Sequence, residues 1–471
     1  MRCLLSCVTI FIVACLCLTC VGILSAGVFL LGDVGNPQVG GVPQAPAPSW
    51  SAPTPAYPGP ADAAPTPQVP AAPESISPVI AAQMDSIEAD VMALRGLPHA
   101  NGVRRVLLTP DQLRQRVLSD FLADYTPEEA ANDSVVLWAF GLLPKEYDLL
   151  NLYRELLSEQ VAGFYDDDER AMFVVQGQGF LGPQRMTYAH EYVHALQDAA
   201  YDIDDGLGFN DAQCDADSER CAAIQALLEG DASLTEQFWL YQHATPEDMQ
   251  EIMDFYSQYS SPVYDSAPAF LQEDFLFPYT AGKDFVQALY NKGGWDAVDA
   301  AYLTPPVSTE QILHPEKYGD DVPQVVTLPN LQAVLGTDWE QLDAGIMGEW
   351  YTYLLMARAN NPVIRQSDAN ARHAAAGWDG DAYAVYRQTS GEAVALAFSL
   401  VWDTPEDAGQ FREIFGAYLS ERTGAKPTIT GAWKVWRAYE GVHALRADAD
   451  ATVWLFAPDE ATLEALQVMF P

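Results

Sequence analysis

The sequence predicts an α+β fold, with a mainly helical domain that carries a small sheet, followed by a small C-terminal α+β domain. Amphipathic helical patterns alternate with short strand patterns over residues 78–335, and strand patterns recur from Asp381 onward, within residues 336–471. The chain has 471 residues, of which 49% are hydrophobic and 19% charged. That length allows about two or three domains, and the composition excludes wholesale disorder and coiled coil.

The first 32 residues are predicted to form a transmembrane anchor or signal. The run from Cys3 to Gly32 contains no charged residue and is long enough to cross a bilayer as one helix. Arg2 precedes this run and Asp33 follows it, so the positive-inside rule places the N-terminus in the cytoplasm and the rest of the chain outside. A cleaved signal peptide is the rival interpretation, and residues 12–15 also resemble a lipoprotein box.

Residues 33–77 are predicted to form an extended linker. Their proline- and alanine-rich composition cannot bury enough apolar surface to fold. Such a linker would hold the folded body away from the membrane.

The acidic composition argues against nucleic acid as a partner. Asp and Glu number 65 against 24 Lys and Arg, which gives a formal net charge of -41. Such a surface repels phosphate backbones. The charge alone does not specify a function, because solubility, salt tolerance or a low-pH habitat would favour it equally.

The individual elements follow from local patterns. A strand at 103–108 precedes helices that run to about residue 159, and two long helices are predicted at about 186–200 and 219–242. The segments Gly163–Tyr165 and Ala171–Val175 flank an acidic turn and predict a β-hairpin. Cys214 and Cys221 lie in a loop-like stretch and are predicted to form a local disulfide, with two free thiols as the alternative.

One motif points to metal chemistry, the sequence His190-Glu191-Tyr192-Val193-His194. On a helix, residues four apart lie on one face, so both imidazoles can bind one ion while Glu191 projects beside them. Neutral imidazoles bind zinc, and a carboxylate can accept a proton from a water whose pKa the ion has lowered. The alternative is a pair of histidines that binds no metal.

A catalytic zinc site usually has a third protein ligand. The extended motif with Gly and His at positions 197 and 200 is excluded, because Gln197 and Ala200 stand there. Glu229 lies on the following predicted helix, on a face with Ala222, Ala226 and Ser233. Small residues on this face would let the carboxylate approach a neighbouring helix, whereas the alternative is an ordinary exposed acid.

The stretch from His190 to Asp198, with Glu229 downstream, resembles the gluzincin branch of zinc metallopeptidases, of which thermolysin is the best-known member. The resemblance is specific at the motif and covers residues 155–245. It implies a zincin-like fold for residues 78–335 and Zn²⁺ as the cofactor. The implied site residues are the zinc ligands His190, His194 and Glu229, and the general base Glu191. Residues 159–166 and 308–315 also resemble uncharacterised bacterial metallopeptidase-like proteins.

This chain departs from the gluzincin pattern at one position. The family usually has Asp four residues after the ligand Glu, whereas this chain has Ser233. The support of a ligand histidine is therefore expected to be weaker or to come from elsewhere, with Asp231 as a candidate.

Two further features of a peptidase can be assigned to residues. Amide hydrolysis needs a donor to the developing oxyanion. His314 is the first candidate for this catalytic role and Tyr279 is the second, although a lone His is more often structural. The strand Ala171–Val175 is predicted to bind an extended peptide by strand addition. The simpler interpretation, which is compatible with the first, is that it belongs to the sheet of the domain.

Together these features predict a membrane-tethered, extracytoplasmic zinc metallopeptidase that is anchored at the cell membrane by a single N-terminal helix. Its partners would be a peptide or protein substrate and the membrane. The alternative is a zincin-fold binding or scaffold module at the cell surface without proteolytic activity. A zinc hydrolase of a non-peptide amide or ester is a third possibility, because fold alone does not decide chemistry.

Overall fold

The computed structural model describes residues 13–14, 76–120, 122, 125–175 and 179–470 and confirms the α+β class. The helices are α1 Pro78–Arg95, α2 Pro110–Asp120, α3 Pro127–Phe140, α4 Leu149–Gln160, α5 Gly182–Tyr201, α6 Asp211–Ala216, α7 Ser218–Gln242, α8 Pro246–Gln258, α9 Pro262–Ser266, α10 Ala269–Gly293, α11 Trp295–Leu303, α12 Thr309–Leu313, α13 Gln332–Leu335, α14 Gly348–Ala357, α15 Asp368–Ala375, α16 Pro405–Thr423 and α17 Glu460–Gln467, with a 3₁₀ helix at Pro362–Ile364. The strands are β1 Val13–Ala14, β2 Arg104–Leu108, β3 Val161–Asp166, β4 Ala171–Val175, β5 Trp339–Gly345, β6 Trp378–Gln388, β7 Val394–Trp402, β8 Thr428–Thr430, β9 Trp433–Ala438, β10 Gly441–Asp448 and β11 Ala451–Ala457.

The first sheet has the strand order β1-β3-β4-β2. β3 and β4 form the predicted antiparallel hairpin, and β2 pairs with β4 in parallel. Strand β4 is therefore paired on both sides, and the prediction that Ala171–Val175 binds peptide by strand addition is wrong. Nothing in the β4 sequence shows that the distant β2 covers its second edge.

Glycine at position 163 lets β3 lie close to both β4 and α5. A Cβ atom there would lie 2.9 Å from the carbonyl oxygen of Phe173 and 3.1 Å from Cγ2 of Thr187. At the other end of β3, the Tyr165 hydroxyl donates to Oδ2 of Asp198 at 2.8 Å. The sheet is thus fixed along the helix that carries the histidine motif.

Helices α7 and α10 touch through their backbones. A Cβ atom on Gly282 would lie 2.1 Å from the carbonyl oxygen of Ala226, and one on Gly230 would lie 2.2 Å from that of Gly282. The small residues predicted around Glu229 therefore do allow a close helix contact. The disulfide Cys214–Cys221 joins α6 to the first turn of α7 and confirms the predicted local bridge.

The second sheet has the strand order β5-β6-β7-β11-β10-β9-β8, and all its neighbouring strands are antiparallel. Phe140 at the end of α3 packs edge-on against Tyr383, Phe398 and Trp454 of this sheet. Residues 76–470 accordingly lie in one compact unit. The domain boundary between residues 335 and 336 stays a prediction.

The predicted single-pass membrane anchor and the membrane localisation are wrong. Across the part of the chain that the structure describes, no helix has the length and apolarity needed to cross a bilayer. Residues 13–14 of the predicted span form β1, whose backbone pairs antiparallel with Val161 and Gly163 of β3 instead of forming helical bonds. The rest of the run over residues 1–32, and the linker up to residue 75, lie outside the described residues.

Candidate metal centre

Helix α5 carries the histidine motif through the interior of the protein. Every residue from Met186 to Gln197 is buried, so the helix packs against neighbours on all sides. Pro183 stands in its first turn, where its missing N–H costs nothing. His190 and His194 lie one turn apart, with ring centroids separated by 5.0 Å.

The structure brings the three predicted zinc ligands together. Oε2 of Glu229 lies 3.1 Å from Nε2 of His190 and 3.4 Å from Nε2 of His194. One atom from each side chain lies within 4.8 Å of the other two. Ligand atoms at the usual zinc distances in a tetrahedral site are roughly 3.4 Å apart. The three side chains therefore fit one zinc ion.

The charges in this group also suit a divalent cation. Burial alone would raise the pKa of Glu229, but His194 and His190 outweigh it and lower the pKa to about 2. Burial alone would lower the pKa of His190, but its hydrogen bonds to Glu229 and Glu236 raise it to about 10. Glu229 is therefore an anionic carboxylate that lies between the two imidazole rings.

Glu191 contributes a second buried carboxyl group beside the ligands. Its side chain is 0% exposed, and neither oxygen makes a hydrogen bond of normal geometry to any residue that the structure describes. Burial raises the pKa of Glu191 well above its ordinary value, although the charge of His190 and the backbone of Tyr165 oppose the increase. A buried carboxyl group without such bonds is costly for folding, which is typical of a group retained for chemistry.

Glu236 supports the first histidine. Its Oε2 lies 3.2 Å from Nδ1 of His190. Glu236 is two turns beyond Glu229 on α7, so both carboxylates face α5. Glu236 therefore orients His190 by a hydrogen bond. In the gluzincin pattern, an Asp at the position of Ser233 is expected to support a ligand histidine in this way.

Gln197 supports the second histidine. Its Oε1 lies 2.8 Å from Nδ1 of His194. Its Nε2, which carries two hydrogens, lies within hydrogen-bond distance of three acceptors, the carbonyl oxygen of Leu228, Oδ2 of Asp231 and the hydroxyl oxygen of Tyr302, at 3.0, 3.2 and 2.9 Å. These acceptors orient the amide so that its oxygen faces the imidazole. Nδ1 of His194 then carries the proton, and Nε2 presents a lone pair to the metal.

We expect Gln197→Leu to weaken zinc binding by about 10- to 100-fold, because the His194 ring would lose the group that fixes its orientation. A competition titration against a zinc-chelating dye measures this change. Gln311→Leu is the matched control, since Gln311 is also buried but bonds the backbone of Val307 and Asp321. An equal loss in both variants would indicate general destabilisation and contradict the role of Gln197.

Asp231 is connected to the candidate metal centre through Gln197. It accepts from Nε of Arg95 at 2.8 and 3.0 Å and from the hydroxyl of Tyr302 at 2.7 Å. Arg95 and Asp231 are both 0% exposed, and the guanidinium lies 4.4 Å from the ring centroid of Trp295. The expected support from Asp231 therefore reaches His194 indirectly, through Gln197.

The two candidate oxyanion donors have different surroundings. The Tyr279 hydroxyl donates to Oε1 of Glu229 at 3.3 Å, and its ring centroid lies 6.3 Å from that of His190. His314 lies at the end of α12, where Nε2 is 2.9 Å from Oε1 of Glu349. Tyr279 is thus the candidate that contacts the ligands, and the catalytic role of His314 stays a prediction.

Comparison with known proteins reaches the C-terminal part of the chain only. Residues 337–467 match a family described as a domain of unknown function (DUF8575). No curated protein and no solved structure matches the chain. The family match lies within the predicted C-terminal domain and does not include the candidate metal centre.

Proposed function

We propose that this protein is a zinc-dependent metallopeptidase. The observation that carries the proposal is the convergence of two imidazole Nε2 atoms on one carboxylate oxygen of Glu229, with the buried carboxyl group of Glu191 on the same helix. A binding module would need the three ligands but no buried acid beside them. The resemblance of residues 190–198 to gluzincins supports the same chemistry.

Zinc bound by His190, His194 and Glu229 would supply a Lewis acid that polarises the scissile carbonyl and lowers the pKa of the attacking water. Glu191 accepts the proton of that water, because no residue that the structure describes makes a hydrogen bond of normal geometry to its carboxyl oxygens. The same carboxyl group then gives this proton to the leaving amine. Tyr279 holds Oε1 of Glu229, so that Oε2 remains directed at the two imidazoles.

Zinc content and peptide hydrolysis test the proposal together. We expect the full-length protein to bind about one zinc ion per chain. We also expect it to cleave casein or a quenched peptide library, with the cleavage lost on chelation and restored by zinc. His194→Ala should lose both properties. Zinc binding without hydrolysis of peptides would favour the scaffold alternative, and a failure to bind zinc after reconstitution would overturn the proposal.

A further inference from the structure

We propose that a cavity beside the metal centre binds a cationic group of the substrate, either an alkylammonium or a guanidinium. This inference rests on the proposed peptidase function and names the substrate class. The cationic group would come from the amino terminus of a peptide or from a lysine or arginine side chain. The two sources share one recognition chemistry, a positive N–H donor among carboxylates.

The cavity lies next to the zinc ligands. Tyr279 lines it and also donates to Glu229. Gln225, one turn before Glu229 on α7, lines it as well. A substrate group in this cavity is therefore one side chain away from the metal centre.

Its size suits a small head group. The cavity has a volume of about 70 Å³. An apolar cavity of about 150 Å³ holds a benzene molecule. A space about half that size accommodates an ammonium or guanidinium group with an adjoining methylene, but not a large aromatic ring.

Two carboxylates from different helices line this cavity, and neither forms an ion pair with a basic residue in the described structure. Oε1 of Glu219 accepts from the backbone N–H and the hydroxyl of Thr309, both at 2.6 Å. Asp274 accepts from the Trp350 indole at 2.9 Å and from the Tyr351 hydroxyl at 2.6 Å. These neutral donors fix the position of both carboxyl groups. Lys, Arg and His are absent from the described residues that line the cavity.

The surroundings make both carboxyl groups receptive to a cation. Burial raises the pKa of Glu219 to about 8 and that of Asp274 to about 6, and neutral hydrogen-bond donors only partly oppose the increase. An acid held away from water is stabilised in its ionised form when a positive group binds beside it. The formal net charge of -41 would also attract cationic peptides from solution.

An unsatisfied hydroxyl group provides independent evidence for a ligand. Tyr153 lines the same cavity and is 3% exposed, yet its hydroxyl makes no hydrogen bond within the described ranges. A buried hydroxyl without a partner costs free energy. Its oxygen can accept an N–H from the bound cation, which would complete three acceptor groups around one ligand.

Peptide binding to the zinc-loaded, full-length Glu191→Gln variant tests this inference. This variant is used because it is expected to bind peptides without cleaving them. Four otherwise identical peptides would carry a free or acetylated amino terminus and either lysine or norleucine at one position. Calorimetry should show that at least one singly cationic peptide binds about 10-fold or more tightly than the uncharged peptide. The acetylated lysine peptide and the free-terminus norleucine peptide identify which source is bound.

Cavity variants locate the binding. Glu219→Gln keeps the acceptor for Thr309, and Tyr153→Phe removes a hydroxyl that stabilises nothing in the described structure. Each should reduce the preference for the cationic peptide severalfold. Tyr418→Phe is the control, because Tyr418 is a buried tyrosine on α16 outside the cavity. Equal binding of charged and uncharged peptides, or an unchanged preference in both cavity variants, would overturn the inference. Hydrolysis by the protein with Glu191 intact reports separately on the peptidase proposal.

Discussion

Glu191→Gln is expected to reduce peptide hydrolysis by a factor of about 10² to 10⁴, the usual contribution of a general base. Glutamine keeps the size of the side chain but cannot accept the proton of the attacking water. The proposed zinc ligands lie on either side of Glu191 along α5 and on α7, and within the described structure none of them makes a hydrogen bond to its carboxyl group. Zinc content should therefore stay unchanged while kcat/KM falls.

Glu310→Gln is the matched control for this substitution. Glu310 is also buried, but it lies on α12 and bonds Lys317 instead of the candidate ligands. It should retain kcat/KM within a few-fold. Full activity of Glu191→Gln would show that another group takes the proton. A loss of zinc from Glu191→Gln would show that the side chain maintains the site itself.

Arg95→Met is expected to lower the free energy of unfolding by about 3–5 kcal/mol, because it leaves the Asp231 carboxylate buried without a cation. Both side chains of the pair are fully buried, so solvent does not screen the loss. Gln197 and Tyr302 would still donate to Asp231, but neither carries a charge. Urea denaturation, followed by intrinsic tryptophan fluorescence, measures the change.

The double variant Arg95→Met with Asp231→Leu separates the ion pair from general packing. If the cost arises from an unpaired charge, the double variant should be more stable than the sum of the two single losses predicts. Additive losses would show that Arg95 stabilises the protein through its contacts with Trp295 and Asp299 alone. The same variants should also weaken zinc binding, because Asp231 orients Gln197.

The grouping of the three candidate metal ligands could be predicted because much of their pattern is local in the sequence. Helical spacing alone places His190 and His194 on one face, and the small residues on the helix of Glu229 indicate a close neighbour. The hairpin and the C-terminal strands follow from alternation of apolar residues. In each case the residues that form the pattern lie close together in the sequence, within one helix or one pair of strands.

The support of the ligands could be predicted only in part, because the sequence indicated Asp231 but not the side chains through which it acts. Arg95 and Asp231 are separated by 136 positions, and no local pattern connects them. In the sequence, Gln197 only excludes the extended motif that has Gly at this position. In the structure, its amide oxygen contacts Nδ1 of His194 and orients that ring. The structure of residues 13–14 could not be predicted either, because nothing in their local sequence shows that their backbone pairs with Val161 and Gly163 of β3.

The contact between α7 and α10 has a consequence for motion. Backbones that touch at Gly230 and Gly282 cannot slide past each other without a steric clash. Glu229 on one helix and Tyr279 on the other must then travel as a single rigid body. Under the proposed function, Glu229 and Tyr279 would therefore keep their relative positions when a substrate binds, and conformational adjustment would fall to the loops and strands that border these helices.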